Sequence, residues 1–174
     1  MPDLLIRMQK KRDGSVTHTC VRRDGSATWQ RHQGAQARFF PLHDLTHYAV
    51  ETVLGFRRGF YGLVAEGWDF ADFGTPWPRG LLPDDSDPAE LVAGFLDGEG
   101  ATGETWSAAE MNGKVRGYTG PPQSWTSYRL TDAQLAVIRA RRAELHARWK
   151  ALPEGETLEL PFEISPPTSS EPIG

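Results

Sequence analysis

The stretch KRDGSVTHTCVRRDGS, Lys11 to Ser26, decides how the fold begins. It sets two near-copies of one phrase, KRDGS and RRDGS, on either side of VTHTCV, a run rich in β-branched residues. Asp-Gly supplies the positive φ angles of tight hairpin turns, so each copy predicts a reversal between antiparallel strands. Upstream, Leu4, Ile6 and Met8 alternate along LLIRMQK, and downstream Ala27 to His32 follows the second turn. The first third therefore reads as an antiparallel three-stranded meander. No longer internal period points to a solenoid.

Beyond Phe39 the periodicity changes. Pro41 suits a helix's first turn and Gly55 its end, predicting a helix from Pro41 to Leu54 with Leu42, Leu45, Ala49, Val50 and Val53 on one face. The segment from Arg57 to Gly74 spaces Phe60, Leu63, Val64 and Trp68 for a second helix. Gly59, Gly62 and Gly67 weaken it by about 1 kcal/mol each relative to alanine, so they call for a packing reason such as close approach to the preceding helix. Thr75 to Pro88 reads as a proline-punctuated loop, with Asp87 capping a short helix from Pro88 to Leu96. Trp106 to Met111 forms another short helical candidate, followed by the loop GYTGPPQSW. Thr131 and Gln134 have capping-box spacing and open a long helix to Leu152. GETLELPFEI, Gly155 to Ile164, predicts a final strand, and SPPTSSEPIG a disordered tail. The expectation is one α+β domain over 1–164: the meander, a central helix pair, a long C-terminal helix and a last strand.

Composition limits the function classes. The chain of 174 residues carries a net charge of −4, against a strongly basic nucleic-acid binder. Between Arg7 and Arg38, however, eight Lys/Arg face two Asp. Such a basic third is either a partner surface or a solvated face balanced by acids elsewhere. Trp29 among these arginines could stack on single-stranded nucleic acid, although a sheet's outer face has the same composition. Cys20 is the lone cysteine, so no intrachain disulfide forms. No signal-peptide core and no run of 18 apolar residues is present, and a cytoplasmic protein is expected.

The chemistry gathers in LHDLTHYAVE, Leu42 to Glu51. Histidines at i and i+4 lie one above the other on a helix, so His43 and His47 can converge on one ion. Catalytic zinc takes three protein ligands and keeps one position open. Two acids compete for the third place. Glu51 is one turn further on the same helix but drifts away in direction. Glu66 would return to the histidines on an antiparallel second helix, and is favoured. Without a metal, the same imidazoles would be satisfied by a carbonyl or a carboxylate, and the helix pair would belong to an interaction or scaffold protein.

HDLTH at 43–47, followed after 18 residues by Glu66, resembles the HExxH-x18-E arrangement of gluzincin metallopeptidases over about residues 39–70. The resemblance implies His43, His47 and Glu66 as zinc ligands and puts Asp44 where the family has its general base. Asp44 is one methylene shorter than the family's glutamate, a displacement that costs on the order of 10²-fold in rate. LHDLTH is also similar to the core of HD-type phosphohydrolases, an all-helical family in which adjacent His43 and Asp44 would both bind a metal. The expected function is hydrolysis of a small-molecule or peptide substrate by metal-activated water.

Overall fold

The computed structural model describes residues 1–118 and 123–164. The expected tail over 165–174 lies outside them, as do residues 119–122 of the loop after Gly117.

Both Asp-Gly pairs turn the chain. Gly14 and Gly25 hold φ angles of 79° and 86°. Asp13 and Asp24 each accept hydrogen bonds from the N–H and hydroxyl of the serine two residues on. Strands β1 (Leu4–Lys10), β2 (Val16–Arg22) and β3 (Ala27–His32) form the meander, and β4 (Thr157–Phe162) pairs antiparallel with the outer edge of β1. The order is β3-β2-β1-β4. Ile6 lies opposite Cys20 and Met8 opposite His18, so one face presents these side chains with Leu158, Leu160 and Phe162 to the core. The other face exposes Trp29 and carries the basic charge, which acids balance locally: Arg7 with Glu159, Arg23 with Asp3 and Arg31 with Asp13.

Helix α1 (Gly34–Leu54) starts seven residues before the expected Pro41 and contains that proline. An interior proline forfeits one backbone bond, at a cost of about 3 kcal/mol that packing must offset. Here Pro41 is buried. Gly55 ends the helix as expected, in the left-handed conformation with its N–H on the Glu51 carbonyl. From Asp44 to Glu51 every residue of α1 is buried. The sheet covers one side of α1, while α3 (Ala89–Thr102) and α5 (Asp132–Ala151) cover others, which forces its polar side chains to find partners inside the protein.

The expected second helix shrinks to α2 (Phe60–Ala65), followed by a 3₁₀ turn at Phe70–Phe73. Of its three glycines, Gly59 serves close approach to α1 and Gly62 to the Arg57 carbonyl, whereas Gly67 meets no atom within 4 Å and holds a φ of 108°. A Cβ on Gly59 would lie 2.6 Å from the Glu51 carboxyl carbon, and one on Gly62 would lie 2.0 Å from the Arg57 carbonyl oxygen. Helix α3 runs six residues past the expected Leu96, and Asp87 accepts from the N–H groups of Arg57 and Arg58 in place of capping it. Ser107 and Glu110 form a capping box at α4 (Ala108–Gly117), a local signal that the sequence contained. Thr131 and Gln134 cap α5 as expected.

Two packed clusters result. One joins the sheet to α1 and α5 through Leu45, Tyr48, Leu145 and Trp149. The other joins α1, α3, α4 and α5 through Val50, Leu96, Met111 and Ile138. Each fully buried aliphatic side chain contributes roughly 1.5–3 kcal/mol. Among the described residues, no helix is long and apolar enough to cross a membrane.

Candidate metal centre

Helix α1 holds His43 and His47 one turn apart, with ring centroids separated by 4.7 Å. Helix α3 crosses α1 and brings two acids of its own, Glu90 in its first turn and Asp97 two turns later. A spacing of seven residues puts both acids on one helical face. His43 Nδ1 lies 2.7 Å from Asp97 Oδ2, and His47 Nδ1 lies 3.3 Å from Glu51 Oε1. Both rings thereby turn Nε2 towards Glu90, whose Oε2 is 3.6 Å from His43 Nε2 and 2.8 Å from His47 Nε2.

This geometry fits a cation. The ligand atoms offered by His43, His47 and Glu90 lie within 4.8 Å of one another, and the cluster could hold a metal ion. Metal bonds of 2.0–2.2 Å in a tetrahedral arrangement put ligand atoms about 3.4 Å apart, between the two separations found here. Carboxylates on the inner nitrogens are the outer partners that fix tautomer and ring orientation in histidine metal sites. His47 is buried, whereas the Glu90 side chain is 65% exposed, so the cluster has a closed side and an open one.

The inner carboxylates are themselves anchored. Glu51 accepts from the N–H groups of Phe60, Tyr61 and Gly62 at 2.8, 3.0 and 3.3 Å, tying α2 to α1. Asp97 Oδ1 contacts Thr46 of α1 and Arg142 of α5, which links α3 to both helices. Burial pushes His43 down, but hydrogen bonds to Asp97 and Glu90 outweigh it and raise the ring to about 9. His47 is raised in the same way to about 10, against burial, by Glu51 and Glu90. Burial raises the Glu90 carboxyl, yet its bonds to the two imidazoles hold it well below the usual range. Three carboxylates thus face two imidazoles, and the Arg142 guanidinium offsets one of them.

Of the residues expected at the site, the structure brings together His43 and His47 but not Glu66. Helix α2 is too short to return Glu66 to them, and its carboxylate pairs with Arg58 at 2.9 Å. The third potential ligand is Glu90, with Glu51 behind the ring of His47 as an outer partner. Asp44 is not among the cluster's potential ligands: its Oδ2 meets His18 Nδ1 at 2.9 Å, and His18 Nε2 lies 3.7 Å from Cys20 Sγ. The HD-type pairing of His43 with Asp44 at one ion is therefore not formed. Burial pushes the Cys20 thiol well up, which leaves it an inert core side chain behind His18.

A cavity of about 450 Å³ opens beside the cluster, and His43, Asp44, His47 and Glu90 lie on its wall. Comparison with protein families, curated proteins and solved structures finds no match to this chain.

Proposed function

We propose that the protein is a zinc-dependent hydrolase whose metal is held by His43, His47 and Glu90 at the mouth of this cavity. One observation carries the reading: two imidazoles, each fixed by an inner carboxylate, turn Nε2 towards a shared third carboxylate on the cavity wall. Two imidazoles and one carboxylate are the donor set of catalytic zinc with an open position. The same set accommodates ferrous iron, so metal analysis reads both. A cation bound there supplies Lewis acidity, polarising a carbonyl and lowering the pKa of a coordinated water.

The chain's own groups have defined parts in the hydrolysis. Asp44, on the same wall and oriented by His18, accepts one proton of water as its oxygen bonds to the acyl carbon. The acyl carbon's bond to oxygen or nitrogen then breaks, and Asp44 returns that proton to the leaving atom. The products are a carboxylic acid and an alcohol or amine. Glu51 and Asp97 keep the imidazoles oriented throughout.

The test compares metal-loaded and chelated protein on neutral ester and amide substrates, beside an Asp44→Asn variant. Metal-dependent turnover that Asp44→Asn loses while retaining its metal supports the reading. Turnover untouched by chelation refutes it. A second reading, a scaffold protein, is favoured by the same carboxylates, because each imidazole nitrogen already faces one, and those of Asp97 and Glu90 join α1 to α3 without an ion. It predicts full stability in chelator and no retained metal.

A further inference from the structure

The cavity beside the histidines is chemically one-sided. Phe60, Leu63, Phe70, Phe73, Trp77 and Leu82 make its apolar wall. Phe60 and Phe70 lie nearly parallel with centroids 5.7 Å apart, and Phe73 leans on Phe60 at 4.8 Å. Trp77 holds a φ of 62°, in the left-handed region that disfavours any bulky side chain. The residue is 41% exposed and forms the outer part of that wall.

The charged groups of the wall are engaged elsewhere. Asp87 accepts from the N–H groups of Arg57 and Arg58, and Asp44 pairs with His18. The Arg58 guanidinium lies between Glu66 and Asp85. Beyond the metal centre, an anionic group entering the cavity would meet Asp44 and Asp87, with the wall's arginine already paired. An uncharged aromatic group would meet ring faces and aliphatic carbon. A volume of about 450 Å³ suits a phenyl ring with a short linker and falls within the usual range of small-molecule sites.

We infer that the substrate is an uncharged ester or amide whose aromatic or branched alkyl group fills this cavity, its carbonyl facing His43, His47 and Glu90. The inference rests on the metal centre proposed above and adds the class of molecule that centre acts on. Size, aromatic lining and an excess of acids together select against phosphate esters and against acyl groups bearing carboxylates.

The experiment uses the zinc-loaded full chain and three hydroxamates, with binding read by calorimetry. Acetohydroxamate probes the metal alone, 3-phenylpropionohydroxamate adds the ring, and its para-carboxylated analogue adds a charge. The phenyl compound is expected to bind about 30-fold tighter than acetohydroxamate. The carboxylated analogue is expected to lose that gain. Leu82→Trp, a substitution in the loop wall, should cut the gain to less than about 3-fold while acetohydroxamate binding stays unchanged. Should that variant not fold, Phe73→Ala replaces it and should weaken the phenyl compound selectively. If acetohydroxamate binds and the phenyl ring adds nothing, or the carboxylated analogue binds as tightly, the substrate inference is overturned and the metal centre stands. If no zinc is retained and no hydroxamate binds, the metal centre fails, and the inference with it.

Discussion

His43 Nδ1 lies 2.7 Å from Asp97 Oδ2, a contact that joins α1 to α3 and turns the outer face of the imidazole towards Glu90. If this carboxylate orients a ligand, Asp97→Asn lowers zinc affinity by about 10–100-fold. Glu66→Gln, which touches only the Arg58 pair, leaves affinity unchanged. Competition against a chromophoric chelator measures both. Equal loss in the two variants would remove Asp97 from the account.

Protons compete with the metal for the same nitrogens. Both imidazoles are raised above the ordinary value of 6.5, so their contribution to metal-free stability is complete below that pH. It is lost as pH climbs through about 9 for His43 and about 10 for His47. The melting temperature of chelated protein should therefore fall between pH 7 and pH 10, and bound zinc should reduce that fall. Apparent zinc affinity should rise with pH over the same window, with up to about two protons released per ion. Calorimetry in buffers of different ionisation enthalpy counts those protons, and a count of zero contradicts the exchange.

Close approach of the backbone sets a different test. Gly62→Ala would put a Cβ 2.0 Å from the Arg57 carbonyl, so it is expected to destabilise the protein by about 1–3 kcal/mol or more. Gly94→Ala and Gly113→Ala, in α3 and α4, meet no atom within 4 Å. Each should stabilise by about 0.5–1 kcal/mol through helix propensity. Denaturant unfolding of the three variants shows whether the contrast holds.

Thr131 accepts from the Gln134 N–H at the start of α5, and Thr131→Ala should cost about 1 kcal/mol. Metal affinity should not change, because the cap lies about three turns along α5 from Arg142 and further from His146, which contact the site's surroundings.

The parts legible in the sequence are those whose signals are local. Asp13-Gly14, Asp24-Gly25, Gly55 and the Thr131–Gln134 box announce their turns and helix ends within four residues. Pro41 misled because a proline is equally at home in a first turn and, when buried against a core, inside a long helix. Glu66 misled because its return to the histidines required a full second helix, whereas Glu51 captures the chain at Phe60 and α2 ends at Ala65. Glu90 is 43 residues from His47 in the chain, and only the crossing of α3 over α1 unites them. Its one sequence trace is the pairing with Asp97 on a common helical face.

Whether His43, His47 and Glu90 hold an ion is read from the metal content of chelator-free protein, measured by inductively coupled plasma mass spectrometry for wild type, Glu66→Gln and Glu90→Gln. The Glu90 side chain is 65% exposed, and circular dichroism of Glu90→Gln checks that its fold is retained. The account predicts close to one zinc per chain in wild type and Glu66→Gln, and little in Glu90→Gln. Wild-type protein without metal, or metal that survives in Glu90→Gln and is lost in Glu66→Gln, would contradict it.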